Sequence, residues 1–233
     1  MSTEEIIIRL FCMVDDRIPH GKQRKDAALH PSESITIGLV FRLKGGKWRP
    51  FHRWLVANYA YLFPKIPEQS RLFRLIADWG DGVEEWHADA SFFLILDTFG
   101  IELLHPRREG RSPQQVGRKG KLNGRWIVGI KVAWLINQRG EIVRWAWDTA
   151  DAPDNAFREV GLAYNEQARV LCDNGFRMRG EDDHNLKICP RGTWNERFMV
   201  ETDYSWLSEL FHAKKTIIVS KNIVPGDEPI LPP

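Results

Sequence analysis

The spacing of apolar residues changes near residue 90, and this change constrains the fold more than any other feature of the sequence. Before it, apolar residues recur at helical spacing, as in Ile6, Leu10 and Val14. After it, runs rich in strand-forming residues begin with Ser91 to Leu104. Helices followed by a strand-rich segment predict two unequal domains: a small all-helical N-terminal domain over 1–89 and an α/β domain over 90–215. An irregular C-terminal tail is expected over 216–233.

Four helices are predicted in the N-terminal domain. The first carries the apolar residues named above, and Ser32 or Ser34 is predicted to cap a second helix that runs to Leu43. A third helix is predicted over 51–63 and a fourth over 68–79. Such a domain suits helix-turn-helix-like DNA binding, although the spacing fits any other small helical bundle equally well.

The α/β domain is predicted to begin with three antiparallel strands. The second and third, over 126–136 and 141–147, are joined by Asn137-Gln138-Arg139-Gly140, which is typical of a hairpin turn. A helix over 154–167, strands over 168–172 and 184–189, and a final helix over 194–212 follow. This order indicates a mixed sheet with flanking helices, the ribonuclease H-like arrangement.

Charge is segregated along the chain, although the formal net charge is only +2. Nine Lys or Arg face two acids between Arg17 and Arg53, and seven face one acid between His105 and Arg125. Between Asp148 and Asp183, nine acids face four Arg. Two basic tracts around an acidic one suit phosphate binding and divalent cations, but solvated charged faces give the same pattern. No apolar run is long enough for a membrane span and no signal peptide is evident, so we expect a cytoplasmic protein.

Three carboxylates have positions that suggest chemistry. Asp97 interrupts an apolar strand, where a carboxylate is costly unless it is paired or binds a metal. Asp173 ends the strand before Asn174-Gly175, and Glu201 lies on the final helix. Taken singly, each has an ordinary explanation: a turn cap, an Asx-turn and a surface helix residue. Neighbouring first and fourth strands would bring Asp97 and Asp173 side by side, and a helix packed across them could bring Glu201 to the same spot. Such an oxygen-only cluster suits Mg²⁺, with Mn²⁺ as a substitute.

Several motifs resemble the DDE transposases of bacterial insertion sequences. They are the run Phe92 to His105, the Gly129-Ile130-Lys131 that precedes the hairpin, and Leu171-Cys172-Asp173-Asn174-Gly175-Phe176. The segment from Val200 to Leu207 is similar to the helix that carries the family's glutamate, and Phe63 to Phe73 resembles part of its head domain. The resemblance covers about residues 30–213.

The resemblance implies site residues by position. Asp97, Asp173 and Glu201 correspond to the catalytic and metal-binding triad, which holds two Mg²⁺ ions, and Glu196 is a competing third acid. Lys131 matches a lysine that approaches DNA phosphate. The basic segment 105–125 is read as an insertion that tracks the DNA backbone through seven residues: Arg107, Arg108, Arg111, Arg118, Lys119, Lys121 and Arg125.

The implied activity is cleavage at transposon ends followed by strand transfer. Water hydrolyses a phosphodiester at each end, and the exposed 3′-hydroxyl then attacks target DNA. The implied partner is double-stranded DNA, both terminal inverted repeats and target, bound by a homodimer in the bacterial nucleoid. Two alternatives remain open: a metal-dependent nuclease of the same fold, and a catalytically inactive DNA-binding relic. The relic is suggested by the chain after Lys215, which departs from the family pattern.

Overall fold

The computed structural model describes most of the chain as two compact units, Met1–Trp86 and His87–Glu209. The described residues are 1–18, 27–63, 65–77, 86–111, 115–122, 124–180, 182–189, 202, 204, 205 and 209. Within these residues, no helix is long and apolar enough to cross a membrane.

The described part of the first unit holds four α-helices. They are α1 (Thr3–Asp15), α2 (Pro31–Lys44), α3 (Trp48–Tyr59) and α4 (Gln69–Ala77). Their apolar faces share one core: Ile7, Leu29, Ile37, Val40, Phe51, Leu55, Phe63 and Leu72. A core of this kind stabilises short helices that propensity alone would leave marginal.

The cap of α2 differs from the prediction. His30 caps the helix, and Glu33 bonds back to the His30 backbone N–H, which completes a capping box. Ser32 and Ser34 lie inside the helix instead. The Ser32 hydroxyl donates to the Asp15 carboxylate and the Ser34 hydroxyl donates to the Pro31 carbonyl, so neither cap prediction was right.

The second unit is a mixed sheet, which confirms the predicted α/β class. Its described strands are β1 (Phe93–Leu104), β2 (Arg118–Leu122), β3 (Arg125–Asn137), β4 (Ile142–Thr149), β5 (Arg169–Cys172) and β6 (Leu186–Ile188). The order is β2-β3-β1-β5-β6, with β4 also paired to β3. Strands β1 to β4 pair antiparallel, whereas β5 pairs parallel to both β1 and β6.

One sequence prediction for this unit needs correction and another gains a structural detail. The segment 105–125 contains β2 (Arg118–Leu122) on the edge of the sheet, and its identity as an insertion stays a prediction. The helix predicted over 154–167 is shorter, a 3-10 turn over Asp154–Phe157 followed by α5 (Arg158–Leu162). Most of the final helix and all of the tail lie outside the described residues, although residues 202, 204, 205 and 209 are helical.

The sheet has two faces with different neighbours. Side chains alternate along a strand, so Leu94, Leu96 and Thr98 share one face, here called the back face. Leu94 and Leu96 pack there with the apolar residues of β3, β5 and α5. Ile95, Asp97 and Phe99 share the front face, where Ile95 and Phe99 pack with Tyr204.

Candidate functional site

Asp97 lies within β1, level with Asp173, which directly follows the parallel strand β5. The β1–β5 register pairs Phe93 with Arg169 and Ile95 with Leu171. Continuing this register by two residues brings Asp97 level with Asp173, on strands about 4.8 Å apart. Both side chains belong to the front face by the same alternation. The neighbouring strands proposed from sequence are therefore present, and β1 continues beyond Asp97 to Leu104.

Each of the two carboxylates accepts a backbone N–H that follows it in the chain. Asp97 Oδ1 accepts the N–H of Thr98 at 2.8 Å, and Asp173 Oδ1 accepts the N–H of Gly175 at 2.8 Å. Asp173 in this way caps the 3-10 turn Asn174–Phe176, so an Asx-turn is a correct local description of it. A turn cap is not correct for Asp97, because Asp97 and Thr98 both lie within β1. Both acids are half-buried, and the two hydrogen bonds fix one oxygen of each.

Tyr204 connects the C-terminal segment to Asp97. Its hydroxyl donates to the Asp97 backbone carbonyl at 2.7 Å. Its ring stacks on Phe99, with centroids 4.9 Å apart, and packs against Trp134 at 5.1 Å. Tyr204 is buried, with 7% of its surface exposed. The helical segment that holds Tyr204 is thus anchored on the front face beside Asp97.

Glu201 and Glu196 lie outside the described residues. Within the part of the chain that the structure describes, no three His, Cys, Asp or Glu side chains are grouped so that they could hold a metal ion. The metal-binding role of Asp97, Asp173 and Glu201 therefore stays a prediction. Cys172, next to Asp173 in sequence, packs in the back-face core, where burial first and the Asp173 charge second raise its thiol pKa to about 12.

Lys131 occupies a place that its predicted role did not anticipate. It lies on the back face, with 7% of its side chain exposed, and its ammonium donates to Asp154 Oδ1 at 2.9 Å and to the Ala152 carbonyl at 2.6 Å. A phosphate contact at Lys131, which stays a prediction, would require this ion pair to open.

Asp154 is the site residue that sequence reasoning missed. Besides Lys131, its Oδ1 accepts the hydroxyl of Thr98 at 2.8 Å. A Cβ placed on Gly175 would lie 2.6 Å from Asp154 Oδ2 and 3.0 Å from Asp173 Oδ1. Asp154 therefore contacts the residue that follows Asp97 in β1 and the turn that follows Asp173. The one available signal was a carboxylate before a helix start, which is too common to single out.

A basic surface lies around the carboxyl end of β1, on the segment that follows β1, on β2 and at the start of β3. The seven predicted DNA contacts of segment 105–125 are all exposed. Three of them follow β1, and the other four belong to β2 and the start of β3: Arg107, Arg108, Arg111, Arg118, Lys119, Lys121 and Arg125. Because β1 rises about 3.3 Å per residue, its end at Leu104 is roughly 23 Å from Asp97. That distance is comparable to the width of a DNA duplex.

One member of this surface has a structural role as well. Arg125 Nη2 lies 2.7 Å from Glu102 Oε2, and only 6% of the Glu102 side chain is exposed. The other two ion pairs of the surface, Arg118 with Asp151 at 3.8 Å and Lys119 with Glu109 at 4.0 Å, are long and exposed. Exposed pairs of this kind contribute little to stability, so these cations stay available to an external anion.

The comparisons with known proteins give a partial likeness to a solved structure. No family model and no curated protein matches the sequence. A cryo-EM structure of a piggyBac transposase synaptic complex with hairpin DNA shares 13% sequence identity, with a TM-score of 0.31. The likeness covers 84% of this chain and 43% of that one, so the chain spans less than half the length of that transposase. At this TM-score the likeness does not establish a shared fold.

Proposed function

We propose that this chain is a metal-dependent DNA transposase of the DDE type, with His87–Glu209 as a ribonuclease H-like catalytic unit. The observation that carries the proposal is the parallel β1–β5 register, which aligns Asp97 with Asp173 on the front face. The strand order supports the fold assignment, because antiparallel strands lie on one side of β1 and parallel strands lie on the other.

Tyr204 supports Glu201 as the third acid. Three residues of chain span at most about 11 Å between Cα atoms, and Tyr204 touches both the backbone of Asp97 and the ring of Phe99. Glu201 precedes Tyr204 by only three residues in sequence, which supports it as the partner of the two aspartates. Glu196 is five residues further back in sequence and is the weaker candidate.

The donor chemistry fits Mg²⁺. Asp97 and Asp173 offer carboxylate oxygens, and Glu201 would add a third carboxylate, a set typical of hard divalent cations. The three acids would hold two ions, which when bound supply activation of the attacking oxygen and stabilisation of the leaving oxygen.

The protein's own residues would orient the reaction. Thr98 and Gly175 hold one oxygen of each aspartate, which fixes the direction of both carboxylates. The exposed cations of the basic surface would bind the DNA backbone and set the position of the scissile phosphate. Hydrolysis at a transposon end releases a 3′-hydroxyl, and its attack on target DNA forms one phosphodiester while another breaks.

The test is a cleavage and strand-transfer assay with Mn²⁺ or Mg²⁺. The substrate is DNA carrying the inverted repeats that flank the gene, and the variants are Asp97→Asn, Asp173→Asn and Glu201→Gln. Glu166→Gln is the matched control, because Glu166 is an exposed carboxylate of the same unit, outside the site. We expect loss of at least about a hundredfold in the three site variants and wild-type rates in the control.

The assay separates the alternatives. Cleavage without joining would indicate a nuclease of the same fold, and DNA binding without cleavage would indicate an inactive relic. If cleavage survives Asp97→Asn and Asp173→Asn, the aspartate pair is not the catalytic centre. If it survives Glu201→Gln alone, Glu196→Gln identifies whether that residue is the third acid.

A further inference from the structure

We propose that Asp154 is a positioning residue for Asp97 and Asp173, because it ties Thr98, the residue after Asp97 in β1, to the turn that follows Asp173. This inference rests on the proposed function, in which the two aspartates hold the catalytic cations. Asp154 itself lies at the start of the 3-10 turn before α5. Its contacts connect β1, β3 and the turn after β5.

The first contact is made through Thr98. Its N–H donates to Asp97 Oδ1 at 2.8 Å, and its hydroxyl donates to Asp154 Oδ1 at 2.8 Å. The backbone N–H of Thr98 therefore holds the Asp97 carboxylate, while Asp154 holds the side chain of Thr98. A displacement of Asp154 would be passed directly to the residue that orients Asp97.

The second contact is made against Gly175. The N–H of Gly175 donates to Asp173 Oδ1, and the glycine packs so closely on Asp154 that an added Cβ would lie 2.6 Å from Oδ2. The turn after Asp173 thus rests on the same carboxylate that accepts from Thr98 in β1. Glycine is required here for close approach rather than for an unusual backbone angle.

Lys131 keeps Asp154 in place and neutralises it. Its ammonium is buried and donates to Asp154 Oδ1 and to the carbonyl of Ala152, two residues before Asp154. Without this cation, Asp154 would add a third negative charge next to Asp97 and Asp173, where repulsion would already be strong. The ion pair allows a carboxylate to support the site without adding net charge to it.

The faces of the sheet separate this role from that of a metal ligand. Asp97 and Asp173 belong to the front face, whereas Thr98 and Lys131, the partners of Asp154, belong to the back face. Asp154 therefore acts on the two acids through Thr98 and Gly175.

Thr98→Val is the primary test, because it removes the hydroxyl bond to Asp154 and preserves side-chain shape, the Thr98 N–H and the Lys131–Asp154 pair. Asp154→Asn and the double variant Lys131→Met/Asp154→Asn provide further tests, the double variant leaving no buried unpaired charge. Glu159→Gln is the control, since Glu159 is an exposed carboxylate of α5. Urea unfolding establishes that each variant is folded before it is compared.

Two readouts are used on the full chain. Amide hydrogen exchange, followed by mass spectrometry, reports the part of β1 around Thr98 and the turn after Asp173 separately. Electron paramagnetic resonance of Mn²⁺ reports the half-saturating metal concentration. For Thr98→Val we expect exchange to rise about three- to tenfold in both segments, and Mn²⁺ half-saturation to rise by a similar factor. A merely structural loss would not raise exchange in these two segments above the rest of the sheet.

The outcomes are distinguishable. If Thr98→Val changes exchange only around residue 98 in β1 and leaves residues 173–176 at the wild-type rate, the bridge through Asp154 is overturned. If both segments respond but Mn²⁺ half-saturation does not change, the positioning role is overturned while the bridge stands. If Mn²⁺ binding by the wild type is insensitive to Asp97→Asn and Asp173→Asn, the proposed metal site fails, and the exchange result alone supports or overturns the coupling of Thr98 to the turn after Asp173.

Discussion

Lys131 Nζ lies 2.9 Å from Asp154 Oδ1, and the two side chains differ in exposure, 7% for the lysine and 30% for the aspartate. The difference matters because removing either partner leaves the other charge unpaired, and the free-energy cost of that unpaired charge depends on how buried it is. A charge that stays buried without its partner costs far more than one that can reach water.

Asp154→Ala is expected to destabilise the protein more than Lys131→Met. The first leaves the ammonium buried with the Ala152 carbonyl as its remaining described hydrogen-bond partner, at a cost of about 3 to 5 kcal/mol. The second leaves a partly exposed carboxylate that still accepts from Thr98, at about 1 to 3 kcal/mol. Urea unfolding measures both. Equal losses, or a double variant whose cost is the sum of the two, would contradict the ion pair.

Tyr204→Phe is expected to cost about 1 kcal/mol, because it removes the hydroxyl that donates to the Asp97 carbonyl and keeps the ring on Phe99. Tyr204→Ala is expected to cost about 3 to 5 kcal/mol, since the ring is buried. Thermal or urea unfolding gives the values. Limited proteolysis should then cut the C-terminal segment faster in Tyr204→Ala than in Tyr204→Phe. Identical cleavage rates would contradict the idea that the Tyr204 ring anchors this segment.

The basic surface predicts the salt dependence of DNA binding. Each cation that neutralises a phosphate contributes about 0.9 to the slope of log affinity against log salt. Arg107→Ala and Lys121→Ala are therefore expected to flatten that slope by about 0.9 each, with little effect on stability, because both side chains are exposed. Fluorescence anisotropy across salt concentrations measures the slope. An unchanged slope in both variants would indicate that DNA does not bind at the basic surface.

Arg125→Ala is expected to behave differently from its neighbours. It leaves Glu102 buried without the guanidinium at 2.7 Å, so we expect a loss of about 1 to 3 kcal/mol in stability as well as any loss in DNA binding. Arg125→Ala/Glu102→Gln removes both charges and should recover part of the stability. Unfolding curves of the single and double variants decide this. A single variant as stable as Arg107→Ala would show that the pair contributes nothing.

The pairing of β1 with β5 could be predicted from sequence because the signals were local. The apolar run before Asp97 and the short run before Asp173 both predict buried strands, and the order of elements makes the two strands neighbours. Asp97, which ends the apolar run of β1, then lies beside Asp173, which directly follows β5. The position of these two residues follows from strand order alone.

Strand β2 could not be predicted in the same way. Its sequence, Arg118-Lys119-Gly120-Lys121-Leu122, has the composition of a solvated loop. It becomes a strand because β3 extends beyond β4 and leaves Arg125 to Gly129 to pair with it. Edge strands commonly carry lysine, which opposes pairing with another chain, so the same charges that suggested a loop suit an edge.

The contacts of Asp154 could not be predicted from the sequence either, for a physical reason. Its partners come from β1, β3 and the turn after β5, and their meeting depends on the register of three strands. Local spacing assigns the residue to a helix start. Only the assembled sheet shows that its carboxylate contacts both Thr98 in β1 and the turn after Asp173.

The bond between Tyr204 and Asp97 joins residues 107 positions apart. A chain still emerging from the ribosome can pair β1 with β3 and β4 long before residue 204 has been made, yet it lacks this contact. If the proposed function holds, the cutting centre is therefore completed late in synthesis. A prematurely terminated product would then carry the two aspartates without the segment that closes the site beside them, and would be unable to damage its host's DNA.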